Sequence, residues 1–337
     1  MSSAPPRISV LMTARDAAPY IAEAIESVRA QAFTDWELLV VDDASTDDTP
    51  LIVERLSQVD ERIRLRRRSE SGGPYVAAND GLRFCSGRFL ARLDADDVAV
   101  RDRFGRQLSF LEQRPWLRGC MGEVQVLAGD VLLPFGPRVI PVLPGSLRWA
   151  LAVRAFFPST AMIETAAIRE IGGYRELAAS QDHRLWCNLA RRRWLGVLPE
   201  VLAYWRRHDR QLSGRRFDLQ QELGAEVVAE HLESLSGERW SAREAHVLRS
   251  IGASRPEPYR EGRATLRRFE RSWRADTTLS GEERGELAVL TRRLGKDQLR
   301  EALRATMSES VPGRAALRAY ARVNLTIREV RSRVHVS

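Results

Sequence analysis

The sequence predicts an α/β fold: a mostly parallel sheet flanked by helices, followed by an α-helical C-terminal extension. Three observations carry this. Strand-like runs recur at 7–14, 36–43, 62–68 and 87–97, the first two of them compact and apolar. Segments with helical apolar spacing separate them. From about residue 220 helical stretches alternate with breaks at Pro256, Pro258, Gly281 and Pro312, with no further strand pattern. Strands alternating with helices of about 10–15 residues imply βαβ units, and so a parallel sheet covered on its faces.

In chain order, "RISVLMTA" (7–14) is the first strand, and "APYIAEAIESVRAQA" places Ile21, Ala24, Ile25 and Val28 on one helical face. "WELLVVDD" (36–43) is the second strand. "STDDTPLIVERLSQV" supplies a cap-rich start with Pro50 in the first helical turn, where a missing N–H costs nothing. "RIRLRRR" and "GRFLARLDADD" are two more strands around the helix-like "PYVAANDGLRFC". Ligands of such sheets sit at the carboxyl ends of the strands, so Asp42 and Asp43 after one strand and Asp94 after another are expected to face one crevice. Between about 105 and 160 the pattern weakens under Pro115, Pro134, Pro137, Pro141, Pro144 and Pro158. Irregular strands and loops forming an acceptor-side wall are expected there. "AAIREIGGYRE" and "DHRLWCNLARRRW" read as helical, the second with Leu185, Trp186 and Leu189 on one face and arginines opposite. The expected division is a domain at 1–225 and a basic helical extension at 226–337.

Composition narrows the class. Of 337 residues 44% are hydrophobic and 29% charged, as in a globular protein that can bury a sizeable core. No run approaches the ~18 apolar residues of a membrane span, and "MSSAPPRISV" has neither a basic start nor an apolar signal core, so a cytoplasmic location is expected. Cys85, Cys120 and Cys187 are far apart without zinc spacing and read as reduced core residues. Residues 1–229 carry 31 basic and 30 acidic side chains and residues 230–337 carry 22 and 15, so +7 of the net +8 belongs to the tail. The tail lacks aromatic interleaving and any nucleic-acid module, which speaks against a nucleic-acid partner.

The chemistry is concentrated in "LDADD". Asp94, Asp96 and Asp97 crowd three carboxylates into four positions at a strand end. Like charges so close raise one another's pKa unless a cation or hydrogen-bond donors compensate. Capping of the next helix by Asp97 or Asp102, with the other acids in solvent, is the plainer alternative.

Six segments in fixed order resemble the family 2 glycosyltransferases, inverting enzymes with the GT-A fold: "ISVLMTARDAAPYIAEAIESVRAQAFTDWELLVVDDASTDDT", "GGPYVAANDGL", "FLARLDADD", "IGGYRE", "QDHRLW" and "YWRRHDRQLS". They cover roughly the first two-thirds of the chain. The resemblance implies transfer of a single sugar from a nucleotide-diphosphate sugar, a UDP-sugar by expectation, to an acceptor hydroxyl. The acceptor would be a glycan, a lipid-linked molecule or a small molecule. It places Asp94 against the donor's ribose or metal shell and makes Asp96 a ligand of Mg2+ or Mn2+, with Asp97 behind them or as a helix cap. It places an aspartate against the nucleobase, a position matched by both Asp42 and Asp43. Thr13 and Arg15 stand where the family has a Pro-Thr-Tyr-Asn-like loop, here "MTARD", within reach of base or phosphate, and Asn79 of "GGPYVAANDGL" falls among the donor-binding residues. The catalytic base is implied at Asp182, the second residue of the family's Glu-Asp pair, whose first residue is here Gln181. His208 matches the Arg-x-His segment near the diphosphate, where imidazole completes a metal shell or binds phosphate, and Arg206 or Arg207 offsets diphosphate charge. The Gln-x-x-Arg-Trp segment of processive members is absent, which favours single addition.

Two rival classes remain in view. "LDADDV" also fits the Asp-x-Asp-x-Val pattern of haloacid-dehalogenase-like phosphatases, which need a downstream lysine, and Lys296 is the one lysine of the chain. A non-catalytic carbohydrate-binding or scaffolding relative is suggested by Gln181 and the altered "MTARD" loop. In the tail, "GRAALRAYARVNLTIREVRSRV" sets Leu317, Tyr320, Ile327 and Val334 against Arg314, Arg318 and Arg322, as in a basic amphipathic helix. It would lie peripherally on the inner face of an anionic membrane, or pack on the catalytic domain.

Overall fold

The computed structural model describes residues 4–133, 140–209, 211, 217–253 and 259–308. The first half follows the expected alternation: β1 (Ile8–Ala14), α1 (Ile21–Arg29), β2 (Trp36–Asp42), α2 (Thr49–Val59), β3 (Ile63–Arg67), α3 (Pro74–Leu82) and β4 (Phe89–Arg92). These four strands pair in parallel in the order β3-β2-β1-β4. All of β2 and nearly all of β1 is buried, because helices cover both faces of this half-sheet. The α1 face of Ile21, Ala24, Ile25 and Val28 is buried as its spacing predicts.

The second half is more regular than expected. Between 103 and 160 lie α4 (Arg103–Glu112), a ten-residue β6 (Gly119–Ala128), β7 (Val131–Leu132) and α5 (Pro144–Ala150). Pro115 and Pro141 fall between these elements, Pro144 opens α5 and Pro158 follows it, so they do not break them, while Pro134 and Pro137 lie outside the described residues. Together with β5 (Val98–Ala99), β8 (Met162–Glu164) and β9 (Leu195–Arg207), these strands extend the sheet to β3-β2-β1-β4-β8-β6-β9-β5, with β7 on β6. Here the pairing is mixed: β8 is antiparallel to both β4 and β6, β5 is antiparallel to β9, and β6 and β9 run parallel. The thirteen-residue β9 is absent from the sequence reading, which saw only its last residues. It contains Pro199, and the β6–β9 register shifts on either side of Glu123 let that N–H-less residue stand outside the ladder. Two short helices, α6 (Thr165–Glu170) and α7 (Gln181–Arg191), precede β9.

The rest is helical: α8 (Phe217–Ser236), α9 (Ala242–Gly252), α10 (Tyr259–Ala275) and α11 (Gly281–Ser308). The α8 helix runs unbroken across residues 225 and 226. A core of its own, with Val228, Leu232, Leu248, Phe269 and Trp273, receives Trp149 from α5. The Trp149 indole packs edge-on to Phe269 at 6.0 Å and donates to Asp276 Oδ2 at 2.8 Å. The α9 helix opens with a Ser241–Glu244 capping box and ends against the turn after α5, where a Cβ on Gly252 would stand 1.5 Å from the Val153 carbonyl oxygen. Among the described residues no helix is long and apolar enough to cross a membrane. The amphipathic segment 313–334 lies outside the described residues.

Candidate active site

The acid cluster sits just beyond the end of β4. Asp97 is 1% exposed, and its two oxygens accept from Ser159 Oγ at 2.5 Å and from the Arg206 N–H at 3.0 Å. Ser159 Oγ also accepts from the Asp94 N–H at 3.1 Å. Asp97 therefore clamps the acid loop to β9 and to the 3-10 turn at Pro158–Thr160. It does not cap α4, whose N-cap position is Asp102. Burial holds the Asp97 carboxyl well above the usual range, helped by the charges of Asp94 and Asp96 and opposed by the Ser159 and Arg206 hydrogen bonds.

With Asp97 fixed, Asp94 and Asp96 face the crevice. The Asp94 side chain is 37% exposed on that side but crowded by protein elsewhere. Desolvation pushes its carboxyl up to about 7, Arg92 opposes this, and Asp96 and Asp182 add to it. Asp96 Oδ2 lies 3.0 Å from His208 Nε2, and the His208 ring stacks on Tyr20 at 4.4 Å. Arg206, one of the two arginines expected to meet the diphosphate, is instead turned inward. It donates to the Asp96 carbonyl at 3.0 Å and to Glu23 at 2.5 Å, so its charge braces the acid loop, while Arg207 remains exposed.

Arg92 was missed by the sequence reading. Its buried guanidinium donates to Asp94 Oδ1 and to the Leu11 carbonyl, both at 3.3 Å, and lies 5.9 Å from the Tyr174 ring. Burial alone would lower its pKa, but Tyr174, Asp94 and Asp182 together hold it raised. Beneath it Arg103 is fully buried, donating to the carbonyls of Arg92 at 2.9 Å and Ala161 at 3.0 Å, and desolvation brings its pKa down to about 10. An arginine at the end of a buried apolar strand, directly before the acids, was the signal available in "FLARLDADD". Asp182 is the second residue of α7, after Ser180 in a left-handed conformation at φ 61°. Burial raises its pKa and Arg92 opposes the rise, so this arginine acts electrostatically on both Asp94 and Asp182.

On the β1–β2 side the residues separate into distinct roles. Asp43 accepts from Ser71 Oγ at 2.8 Å and from the Gly72 and Gly73 N–H groups at 3.0 and 2.9 Å, and pairs with Arg68 at 3.0 Å. It thus organises the loop before α3. Arg15 donates to Ser71 and extends this network toward the surface. Asp42 is buried, and among the described residues its carboxylate accepts two long bonds, both 3.4 Å, from the Ser45 N–H. Thr13 is half-buried opposite Val41. Asn79, expected among the donor-binding residues, meets protein in this structure. Its amide oxygen accepts from the Tyr174 N–H at 2.9 Å and its amide nitrogen donates to the Tyr174 carbonyl at 2.7 Å, so it fastens α3 to the "IGGYRE" loop.

The donor chemistry of Asp96 and His208 suits a divalent cation that takes its other oxygens from water and a bound diphosphate, since such cations are commonly held by one or two carboxylates plus substrate phosphates. Among the described residues no group of three His, Cys, Asp or Glu side chains is arranged to hold a metal by itself. Cys85, Cys120 and Cys187 are buried free thiols.

A parallel β1–β4 half with acids along its carboxyl edge, closed by mixed strands and flanked by helices, is a GT-A type fold. The profile of Glycosyl transferase family 2 matches residues 9–116. TuaG of Bacillus subtilis, a glycosyltransferase named for teichuronic acid biosynthesis, is 37% identical over 114 residues, 34% of this chain and 45% of its own length. EpsE of the same organism, also named as a glycosyltransferase, is 28% identical over 219 residues, 63% of this chain and 76% of its own length. Among solved structures, S. aureus TarS 1-349 in complex with UDP-GlcNAc superposes with a TM-score of 0.57 at 17% identity, over 89% of this chain and 92% of that one. The mannosyltransferase PcManGT of Pyrobaculum calidifontis, in complex with GDP-Man and Mn2+, gives 0.57 at 19% identity over 88% and 85%. Residues 9–116 thus carry the pattern of glycosyl transferase family 2, and over about two-thirds of its length the chain is similar to glycosyltransferases.

Proposed function

We propose that the protein transfers a single sugar from a nucleotide-diphosphate sugar, in the first place a UDP-sugar, to an acceptor hydroxyl, with inversion and with help from Mg2+ or Mn2+. The observation that carries the reading is that Arg92 hydrogen-bonds Asp94 and interacts electrostatically with Asp182, while Asp96, two residues after Asp94, pairs with His208. Asp182 takes the proton of the acceptor hydroxyl as its oxygen bonds to the anomeric carbon from the face opposite the diphosphate, which leaves with the electron pair of the broken bond. Asp96 and His208 would hold the cation, which when bound supplies Lewis-acid compensation for charge gathering on the diphosphate. Asp94 faces the donor's ribose or the metal shell. Asp42, Asp43, Thr13 and Arg15 form the nucleotide side, with Asp43 shaping the loop and Asp42 keeping acceptor capacity in hand.

The TarS and PcManGT complexes support a nucleotide-sugar donor, and TuaG supports polysaccharide biosynthesis as the setting. The acceptor is a glycan, lipid-linked or small-molecule hydroxyl. We keep residues 1–225 as the transferase domain and 226–337 as its extension. The phosphatase alternative needs a lysine at the acids, whereas Lys296 stands on α11 and Arg92 occupies the place beside Asp94. The test is a panel of UDP- and GDP-sugars with Mn2+, reading donor binding and hydrolysis. Cation-dependent binding of a sugar nucleotide supports the proposal. Phosphate release from simple phosphomonoesters with no sugar-nucleotide binding overturns it.

A further inference from the structure

A second cleft of about 490 Å3 opens where β6 and β9 begin, at the C-terminal end of α7. Asp182 lies near the other end of that eleven-residue helix, about 15 Å away at 1.5 Å per residue. The cleft is therefore separate from the acid crevice. One wall comes from the turn before β6, where the Trp116 indole is 65% exposed, and the facing wall from the start of α11, with Glu282 and Glu283.

The floor is held rigidly. Arg193 has a left-handed backbone at φ 59°, a strained conformation for a non-glycine residue. It is kept there by an ion pair to Glu283 and a hydrogen bond to the Thr278 carbonyl at 3.2 Å. Trp194 lies beneath two guanidinium groups, Arg118 at 4.2 Å and Arg192 at 5.4 Å. With Arg193 neutralised by Glu283, two charged groups at the cleft have no ion-pair partner among the described residues: the Arg192 guanidinium, which donates to the Asn188 carbonyl, and the exposed Glu282 carboxylate. The result is an open indole face with a planar donor and a planar acceptor nearby and little net charge.

We propose that this cleft is a carbohydrate-binding site, distinct from the catalytic crevice, for uncharged pyranose units of an oligosaccharide. The apolar C–H face of a pyranose packs on an indole, while its hydroxyls both donate and accept, matching Glu282 and Arg192. A phosphate-rich ligand would meet the unpaired Glu282 carboxylate here, and an extended apolar peptide would find one exposed ring rather than a row of pockets. The inference stands independently of the donor chemistry proposed above.

The experiment titrates the full-length protein with neutral cello-, manno- and chito-oligosaccharides by calorimetry and tryptophan fluorescence. At least one series is expected to bind, and Trp116→Ala and Arg192→Ala are each expected to weaken it by about tenfold or more. Both side chains are at the surface of the cleft, and an unchanged thermal midpoint checks the fold. UDP–Mn2+ binding, read in parallel, is expected to stay unchanged, and its failure in the wild type would count against the donor proposal alone. Absence of binding by all three series at millimolar concentration overturns the inference, as does equal binding by Trp116→Ala. A Trp116→Ala variant that alters sedimentation but not glycan binding overturns it too, in favour of contact between copies.

Discussion

His208 Nε2 meets Asp96 Oδ2 at 3.0 Å with the imidazole laid on Tyr20, so ring and carboxylate arrive in the crevice as a pair with fixed orientation. If both hold the cation, Asp96→Asn and His208→Ala should each weaken Mn2+-dependent UDP binding by about tenfold or more, ~1.4 kcal/mol. Calorimetry with and without chelator checks this. Equal affinity of wild type and Asp96→Asn in the presence of Mn2+ would remove Asp96 from the cation site.

Asp182→Asn keeps the size of the side chain and its place at the start of α7 but removes the proton acceptor. Donor binding should survive while transfer falls by about 10²-fold or more. A variant transferring at close to the wild-type rate would leave Asp182 only as a helix-start residue. Gln181→Glu, which restores the family's acidic pair, should change the rate and its pH profile while leaving UDP affinity in place.

Acid should weaken the helical core through its histidines. Burial pushes His231 down to about 4 and His183 well below its usual range, and His231 Nε2 donates to the Arg148 carbonyl at 2.6 Å, so both rings fold uncharged. An unfolded histidine takes a proton near 6.5, so between pH 6.5 and 4 the unfolded chain binds more protons than the folded one. This contribution is fully present above pH 6.5 and declines as pH falls toward 4, by about 3 kcal/mol for His231. Urea unfolding as a function of pH should show a shallower acid loss for His231→Gln than for wild type. Parallel curves would refute the assignment.

Gly252→Ala tests how tightly the helices bind the sheet domain. Its new Cβ would collide with backbone at Val153, and a main-chain oxygen cannot swing aside as a side chain can. A loss of about 2 kcal/mol or more is expected from thermal unfolding. Gly105→Ala, in the first turn of α4 with nothing near its new methyl, should stabilise by about 0.4–1 kcal/mol.

The tail gives a sequence-based expectation. Full-length protein should sediment with anionic vesicles at low salt and be released as ionic strength rises, and a chain truncated after Ser308 should not sediment. Equal sedimentation of both would assign any membrane affinity elsewhere.

The β1–β4 half was legible because each βαβ unit is local: apolar runs and helical spacing within about thirty residues determine strand, crossover and the carboxyl edge bearing Asp42, Asp43 and Asp94. The β6–β9 ladder was not, because it joins Gly119 to Leu195 across three intervening helices, and Glu123 and Pro199 interrupt the apolar pattern on either strand. Within the site, residue type predicted where charge gathers but not which groups already satisfy it. Asp97, Arg206 and Asn79 look like ligand-facing residues in a motif, yet in space each meets protein donors or acceptors. Arg92 read as one more arginine in an arginine-rich chain until its placement between Asp94 and Asp182 gave it a role.

The Asp97 clamp also bears on synthesis. Asp97 receives the N–H of Arg206, 109 positions downstream, so the acid loop leaves the ribosome long before the strand that holds it. At translation rates of about 5–20 residues per second, that interval lasts about 5–20 s. During it the nascent β1–β4 half can collapse, but its carboxylates lack both the β9 backbone and His208. A chain arrested before β9 therefore carries its acid loop without the backbone that fixes it. Docking of β9 is the step that sets the loop in place.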